Sequence, residues 1–239
     1  MGSLRGFKVK WRTMPTPDIK QKLDHLLSAL EALYGRQRRY STKSPMDQLI
    51  ATVLSQRTTY ADERKAFTKL LHTYGNWRGV AAAPVSGIEE CIASSRWPEV
   101  KAPRIKDILN LIIDRYGEPT LDFLAEMDTE AAQNLLMELP GVGFKSATFV
   151  LLFSLRKPVI PVDTHVHRVS TRYGILPAKM TQAKAHSALL DILPREADKL
   201  LNYHKLLFKH GQRTCTWSSP RCPDCVVADR CDYAAARRK

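Results

Sequence analysis

The sequence of 239 residues contains no apolar run that approaches the roughly 20 residues needed to cross a membrane. Its N-terminal stretch is basic and has no acidic residue before Asp18, but it lacks the apolar core of a secretory signal peptide. No segment shows the apolar–polar alternation of a half-buried strand, and no internal repeat is visible. We therefore expect a non-secreted protein without membrane segments and without a β-sheet.

Acidic side chains are few relative to basic ones. The sequence holds 24 Asp and Glu against 37 Lys and Arg, which gives a formal net charge of +13. A solvated basic surface explains such an excess, but so does a polyanionic partner, because binding to phosphates releases their counterions. The size of the surplus favours the polyanion. The basic arm of residues 1–16 is open to three interpretations: a DNA-touching arm, an organelle address or a cloning remnant.

Apolar residues recur at helical spacing through most of the chain, and stop signals divide them into separate helices. Ser44 followed by Pro45 is typical of an N-cap and first helical turn, and Gly35, Gly75 and Gly117 are typical C-terminal stops. The sequence thus predicts an all-α fold. The predicted helices cover residues 18–33, 44–54, 60–74, 77–82, 85–93, 101–116, 128–139, 144–155, 163–173, 181–193 and 199–210.

Two of these helices are joined by a glycine turn between Glu138 and Lys145, in the segment ELPGVGFK. Gly141 and Gly143 allow a sharp turn that exposes main-chain N–H groups, and such groups at a helix N-terminus bind phosphate. Lys145 lies in the first turn of the second helix, where the positive end of the helix dipole disfavours an ammonium ion. A solvated surface lysine is the ordinary interpretation, but a neutral amine here is a candidate nucleophile.

A second candidate follows in the segment Val162-Asp163-Thr164-His165. Asp163 precedes a predicted helix and fits an N-cap, which by itself explains the residue and is worth about 1 kcal/mol. A capping carboxylate is also held in a fixed orientation, so capping and catalysis are compatible. His165 and His167 are two residues apart on a helix and do not share a face. We interpret them as packing or phosphate contacts and not as metal ligands.

Four of the five cysteines crowd the C-terminus in the pattern C-x6-C-x2-C-x5-C. Nothing suggests secretion, so a disulfide framework is disfavoured, and four thiolates within 17 residues indicate a soft metal centre. Zinc sites are usually built from two C-x2-C pairs, whereas the single tight pair and unequal gaps here favour a bulkier iron–sulfur cluster. The candidate ligands are Cys215, Cys222, Cys225 and Cys231.

The segments LPGVGFK and VDTHVHRV, followed by this cysteine spacing, resemble the helix-hairpin-helix base-excision DNA glycosylases, and among them the endonuclease III family. The likeness runs from about Ser44 to Asp232. It implies a two-lobed all-α fold, with the hairpin on a six-helix bundle of residues 44–155. A second helical domain of residues 17–43 and 156–239 would carry a [4Fe–4S] cluster loop at residues 215–231, whose cysteine spacing matches that of the family.

The resemblance also implies a chemistry. Lys145 would attack C1′ of a flipped nucleotide to form a Schiff base, and β-elimination would then cut the strand 3′ to the lesion. Asp163 would stabilise positive charge on the sugar. We expect a monomeric bifunctional DNA glycosylase and AP lyase that acts on double-stranded DNA carrying damaged pyrimidines, chiefly oxidised ones, or abasic sites. It would reside in the cytoplasm and nucleoid of a bacterium or archaeon, or in a eukaryotic nucleus.

The gap left by a flipped nucleotide must be filled, and both loops that do so in this family depart here from their usual pattern. The first reads LSQRTTY, with Gln56 one position early, Arg57 in the usual wedge position and Tyr60 in place of an acid. The second reads SRWPEVKA, where Trp97 could stack into the gap or pack in the core. The candidate DNA-contacting residues are Gln56, Arg57, Trp97, Lys101, Gly141, Gly143, His165 and Arg168.

Three alternatives remain open at this point. A mismatch-directed thymine or uracil glycosylase of the same fold is disfavoured by Lys145, since such monofunctional relatives usually carry another residue there. A non-catalytic DNA-binding iron–sulfur module would keep its DNA affinity after Lys145→Gln. An all-α zinc protein would lack the brown colour of an iron–sulfur centre.

Overall fold

The computed structural model describes residues 17–238, so the predicted basic arm, residues 1–16, lies outside the described residues. Within this range the chain forms helices and no strand, and the predicted all-α fold is confirmed. None of these helices combines the length and the apolar character that a membrane crossing requires. The α-helices are α1 (Pro17–Tyr34), α2 (Pro45–Ser55), α3 (Tyr60–Tyr74), α4 (Trp77–Ala82), α5 (Val85–Cys91), α6 (Pro98–Tyr116), α7 (Thr129–Glu138), α8 (Phe144–Phe153), α9 (Thr164–Tyr173), α10 (Gln182–Ile192), α11 (Ala197–Arg213) and α12 (Asp232–Arg237).

Short polar side chains begin the early helices and glycines end them. Ser44 Oγ accepts from the N–H of the third residue of α2 at 3.1 Å, Thr59 Oγ1 does the same for α3 at 3.2 Å, and Asn76 Oδ1 for α4 at 2.9 Å. Each bond satisfies an N–H that the first helical turn leaves without a partner. Gly75 and Gly117 end α3 and α6 with φ of +76° and +83°, a conformation that a residue without Cβ adopts at little cost.

The chain divides into two compact units. The hairpin unit comprises residues 38–161 and 196–201, and the cysteine unit comprises residues 17–37, 162–195 and 202–238. The boundaries at 37/38 and 161/162 differ from the predicted 43/44 and 155/156. Ser41 N donates to Phe153 O at 3.1 Å, and Lys157 Nζ donates to Met127 O at 2.5 Å. These two bonds fasten the segments on either side of the predicted limits to the hairpin unit.

The core of the hairpin unit is built around α2, which packs against α3, α6 and α8. Its sequence PMDQLIATVLS is apolar on nearly every side, so the helix is buried almost throughout. The two polar side chains inside, Gln48 and Thr52, lie one turn apart, and Thr52 Oγ1 donates to Gln48 O at 2.7 Å. Helix α8, with the sequence FKSATFVLLF, contributes the facing apolar surface. Short helices α4 and α5, separated by Pro84, complete the bundle against α6.

The cysteine unit is organised around α9, which contacts α10 and α12. Tyr173 at its C-terminal end is 1% exposed, and its hydroxyl hydrogen-bonds His25 Nδ1 of α1 at 2.8 Å. Ser170 Oγ, one turn earlier, hydrogen-bonds Tyr203 OH of α11 at 2.8 Å. Lys22 of α1 pairs with Asp232 at the start of α12 at 2.6 Å. Helices from both ends of the chain are therefore held on α9 by polar contacts as well as apolar packing.

Candidate active site

The two glycines of the hairpin between α7 and α8 have different structural roles. Gly141 has a φ of +69°, and a Cβ there would also collide with the Arg104 side chain from α6. Gly143 has a φ of −93°, and nothing lies within 4 Å of the position its Cβ would take. The turn therefore requires glycine at 141. At 143 glycine leaves open space over the backbone where α8 begins.

The N-terminus of α8 has no side-chain cap, because Gly143 occupies the N-cap position. The first-turn N–H groups of an α-helix lack intrahelical partners and carry the positive end of its dipole. The preceding helix α7 is capped by Asp128, which accepts from two of its N–H groups. Lys145 is exposed in the first turn of α8. The hairpin thus presents an amine beside N–H groups suited to an anion.

Both predicted wedge loops contain a non-glycine residue in the left-handed backbone region. Arg57 has a φ of +52° and Trp97 a φ of +57°. Both side chains are exposed, and 44% of Trp97 is accessible to solvent. Trp97 therefore does not pack in the core, which was one of its two predicted positions. Trp97 is the N-cap of α6, which begins at Pro98 and not at the predicted residue 101, because proline fits the first helical position. The guanidinium of Arg96 lies 5.2 Å from the Trp97 ring centroid.

Gln56 is held by Arg104, which also lies against Gly141. The Nη1 of Arg104 donates to Gln56 Oε1 at 3.2 Å. Gln56 itself is half-buried and ends α2, its N–H donating to Val53 O. One arginine of α6 therefore connects the first wedge loop to the hairpin turn.

Lys101 was expected to contact DNA, and the structure places it elsewhere. Its side chain is 2% exposed, and its ammonium donates to Leu54 O at 2.7 Å, Gln56 O at 2.9 Å and Thr58 Oγ1 at 2.9 Å. All three N–H bonds are used inside the protein. Burial, with a smaller contribution from the nearby Arg104 cation, lowers the pKa of Lys101 to about 8. A direct contact between Lys101 and phosphate is therefore not supported. Its ammonium instead holds the first wedge loop through these three bonds.

In the cysteine unit, Asp163 caps α9 as the sequence indicates. Its Oδ1 accepts from His165 N and from Val166 N, both at 2.8 Å. The side chain is 8% exposed. Since both bonds use the same oxygen, the carboxylate is fixed in orientation while Oδ2 takes no part in the cap.

His165 and Arg168, one turn further along α9, face the protein more than the solvent. Arg168 is 6% exposed and donates to Cys215 O at 2.8 Å and to Gly211 O at 2.7 Å. It also lies 2.9 Å from His165 Nδ1, whose ring packs edge-on against Phe208. A phosphate contact by Arg168 is therefore not supported, because its guanidinium is buried among carbonyl groups. His165 remains half-buried.

The four C-terminal cysteines are free thiols that line one pocket together with Arg172 and His210. Arg172 Nη1 lies 3.5 Å from Cys215 Sγ, and His210 Nε2 lies 3.5 Å from Cys225 Sγ. Burial lowers the pKa of His210 to about 4, so its imidazole is neutral. Within residues 17–238, no group of three or more His, Cys, Asp or Glu side chains is already arranged to hold one metal ion. The four candidate cysteine ligands, Cys215, Cys222, Cys225 and Cys231, all lie in this pocket.

Two of these cysteines, Cys225 and Cys231, are half-buried. Burial raises the pKa of the Cys225 thiol and of the Cys231 thiol, and backbone N–H groups act in the opposite direction. The neighbouring cysteines raise both values further, because thiolates repel one another. A cation and N–H donors beside four closely placed cysteines favour their thiolate forms, which are the ligands of a soft metal centre.

Several site residues had no signal in the sequence. Thr58 and Arg104 link the wedge loops to α6, and Arg172 reaches the cysteine pocket from α9 and donates to Thr216 O at 2.7 Å. Each acts through partners more than 40 residues away along the chain. Only the spacing of Lys101 and Arg104, three residues apart on one predicted helix, hinted that they share a face.

Comparison with known proteins gives the site a context. The family model described as HhH-GPD superfamily base excision DNA repair protein matches residues 50–195. The endonuclease III of Thermotoga maritima is 34% identical over 202 residues, covering 84% of this chain and 89% of that protein. The endonuclease III of Escherichia coli strain K12 is 31% identical over 191 residues, covering 80% of this chain and 84% of that protein.

Solved structures agree with these relatives. A trapped endonuclease III–DNA covalent intermediate superimposes with a TM-score of 0.79 at 28% identity, covering 92% of this chain and 99% of that one. A non-covalent endonuclease III–DNA complex gives a TM-score of 0.78 at 29% identity, with the same coverage. A thermostable thymine-DNA glycosylase, at 20% identity and a TM-score of 0.72, shares the fold. The resemblance noted from the hairpin, the aspartate and the cysteine spacing is confirmed.

Proposed function

This chain belongs to the HhH-GPD superfamily of base excision DNA repair proteins, and we propose that it is a DNA glycosylase and AP lyase of the endonuclease III type. It excises damaged pyrimidines from double-stranded DNA and cleaves the strand at the resulting abasic site. The observation that carries the proposal is Lys145, an exposed amine in the first turn of the uncapped helix α8. Endonuclease III relatives match most of this chain, and one solved neighbour is a covalent DNA intermediate.

DNA binding begins at the hairpin. A backbone phosphate accepts hydrogen bonds from the first-turn N–H groups of α8, at the positive end of the helix dipole. The open space over Gly143 lets the phosphate approach the main chain. The net charge of +13 adds a sequence-independent attraction that weakens as salt rises.

The damaged nucleotide must leave the base stack before its C1′ can be reached. Arg57 and Trp97, exposed on neighbouring loops, fill the space it vacates, together with Gln56. An aromatic side chain gains about 1–3 kcal/mol by stacking on a base, whichever base that is. This supports a role for Trp97 beside the unpaired base.

The side-chain nitrogen of Lys145 then attacks C1′ of the flipped nucleotide. A bond forms between Nζ and C1′ as the glycosidic bond to the base breaks, and the base leaves with the bonding electron pair and takes up a proton. Opening of the sugar ring gives a Schiff base. Loss of a proton from C2′ and departure of the 3′ phosphate complete β-elimination, and hydrolysis of the imine returns the free amine.

Asp163 supplies the negative charge for this reaction. Its Oδ1 is fixed by two N–H bonds at the start of α9, so Oδ2 is the oxygen that we assign to the sugar. Positive charge that develops on the sugar as the base leaves is stabilised by a carboxylate that does not need to reorient.

The four C-terminal cysteines are assigned to a [4Fe–4S] cluster. Their free thiols, their common pocket and the N–H of Arg172 beside Cys215 Sγ fit such a group. When bound, the cluster supplies four iron–sulfur bonds that hold the segment between α11 and α12 in one shape. The exposed arginines at the end of α11 and in that segment, Arg213, Arg221 and Arg230, then offer positive charge to the DNA backbone.

The remaining expectations follow from this activity. The enzyme acts where genomic DNA is, in the nucleoid or in the nucleus, and a monomer is sufficient for it. Oxidised pyrimidines are the lesions we assign to it.

The proposal is tested by trapping with borohydride, which reduces the Schiff base to a stable amine. Duplexes with one thymine glycol or one abasic site are incubated with wild type, Lys145→Gln and Lys184→Gln, and the products are separated on a denaturing gel. Lys184 is an exposed lysine of α10, so its substitution matches the loss of charge without touching the hairpin. We expect a covalent complex from wild type and Lys184→Gln and none from Lys145→Gln.

Absence of any complex from wild type on both substrates would rule out the lyase. Cleavage of a mismatched thymine or uracil without trapping would then indicate a monofunctional glycosylase. Binding of DNA without any cleavage, retained in Lys145→Gln, would indicate a binding module only.

A further inference from the structure

Lys101 is buried between the two wedge loops, and its position suggests a role beyond those assigned above. We propose that Lys101 is a positioning residue that locks the loops of residues 56–58 and 95–97 together, so that Arg57 and Trp97 are in place before DNA binds. The inference rests on the proposed glycosylase function, since it concerns how the flipped nucleotide is replaced.

The ammonium of Lys101 makes three hydrogen bonds to the first wedge loop and the end of α2. Lys101 Nζ donates to Leu54 O, Gln56 O and Thr58 Oγ1 at 2.7–2.9 Å. These three acceptors fix the backbone on both sides of Arg57. An ammonium has three N–H bonds, so every donor is used.

The hydroxyl of Thr58 joins the two loops. Thr58 Oγ1 accepts from Lys101 Nζ and also from Arg96 N at 3.0 Å, and it donates to Gln56 O at 3.2 Å. One hydroxyl thus uses its donor and both of its acceptor positions. Arg96 immediately precedes Trp97. The loop after α2 and the loop before α6 are therefore connected through a single saturated oxygen.

This network holds an unusual backbone conformation in both loops. Arg57 and Trp97 both adopt positive φ, and neither is a glycine. Such conformations persist only where surrounding contacts determine them, and they gather at functional sites. Each of the two residues is adjacent in sequence to a residue of the network, Gln56 and Thr58 in one case and Arg96 in the other. The network fixes the backbone while both side chains remain exposed.

The cost of the arrangement indicates that it is more than packing. A buried cation is unfavourable unless it is fully hydrogen-bonded, and within residues 17–238 none of the ion pairs involves Lys101. The Arg104 cation nearby adds repulsion. An apolar side chain of similar length would avoid both costs, but it would make none of the three bonds that hold residues 54–58.

The inference distinguishes two reactions of the same enzyme. Excision of a base from intact duplex requires the nucleotide to leave the stack, and preformed gap-filling residues lower that barrier. Cleavage at an abasic site requires no unstacking of a base. Loosening the loops should therefore slow excision more than cleavage, whereas general loss of folded protein would lower both by the same factor.

The experiment compares single-turnover rates on two duplexes of one sequence, one carrying thymine glycol and the other an abasic site. The variants are Lys101→Met, Thr58→Val and, as control, Lys106→Met. Lys106 lies on the same helix and donates to Ala83 O at 2.5 Å, away from both wedge loops. We expect Lys101→Met to lose about tenfold or more in excision and less than about threefold in abasic-site cleavage. Thr58→Val should change the ratio in the same direction, and Lys106→Met should leave it unchanged.

Amide hydrogen exchange provides a second measurement that does not depend on activity. In Lys101→Met, exchange should accelerate in both loops together, residues 55–58 and 95–97, and in Lys106→Met in neither. Equal loss of the two activities, or faster exchange in only one loop, would overturn the inference. If Lys101→Met does not fold, Thr58→Val decides by the same criteria. A wild type that traps no DNA refutes the proposed function, and the exchange result alone then supports or refutes the locking of the two loops by Lys101.

Discussion

Gly141 and Gly143 are separated by one residue, yet alanine should have different effects at the two positions. At Gly141 it should lower stability, and at Gly143 it should weaken DNA binding. At Gly141, alanine must adopt a φ near +69°, which costs an L-residue about 1–2 kcal/mol. Its Cβ would also displace Arg104 from its bond to Gln56, at a cost of roughly 1 kcal/mol. The reduced entropy of the unfolded chain returns about 0.4–1 kcal/mol. The net loss is about 1–2.6 kcal/mol, which at roughly 2–4 °C per kcal/mol for a chain of this length lowers Tm by about 2–10 °C.

At Gly143, alanine meets an unstrained φ and no neighbour within 4 Å. Alanine is a poorer N-cap than glycine by roughly 0.5 kcal/mol, and the unfolded-chain entropy offsets about as much. Stability should therefore change little. If a phosphate approaches the backbone here, the added methyl occupies its space and removes charge-assisted bonds, so DNA affinity should fall about tenfold.

The assay is thermal unfolding of the holoprotein together with fluorescence anisotropy on a duplex with a non-cleavable abasic analogue, at one fixed salt concentration because phosphate contacts depend on salt. Gly141→Ala should lower Tm, and Gly143→Ala should weaken DNA binding at unchanged Tm. If Gly143→Ala destabilises as much as Gly141→Ala, or binds DNA with wild-type affinity, the division of roles between the two glycines is wrong.

Three further predictions follow from the cap, the buried lysine and the thiols. Asp163→Asn keeps a good N-cap, so its Tm should match wild type while base excision falls by at least about 100-fold; Asp163→Ala should lose about 1 kcal/mol of stability as well. The pKa of Lys101 is lower in the folded chain, about 8 against 10.5, so between these values the unfolded chain binds more protons and stability should rise with pH. Chemical denaturation across this range should show that rise in wild type and not in Lys101→Met, by an amount on the order of 3 kcal/mol; equal slopes would contradict the buried cation. Cys222→Ser removes one of four thiolates, so broad visible absorbance and iron content should fall together with Tm, and full retention of iron would argue against this ligand set.

The helices and the positions of the two candidate catalytic residues were predictable because their signals are local. Ser44 caps α2 through a residue three positions on, and Asp163 caps α9 in the same way, so a few consecutive residues suffice to find them. Lys145 was recognisable from the glycines just before it. The all-α fold follows from many such local patterns, and the structure confirms it.

The environment of the long cationic side chains was not predictable in this way. Lys101 and Arg168 were expected to contact DNA, since lysine and arginine usually lie at the surface. Their partners are carbonyl groups more than 40 residues distant, which no local pattern specifies. The start of α6 at Pro98 was missed for a related reason. The sequence gives no sign that Trp97 adopts a positive φ.

Arg57 and Trp97 hold a backbone conformation that glycine would adopt more easily. A redesign aimed at heat resistance would first replace both residues with glycine, because each of these substitutions relieves backbone strain. The resulting protein should melt later and repair more slowly. Stability screens on this enzyme therefore need a turnover measurement beside them, and these two positions are best kept out of any stabilising library.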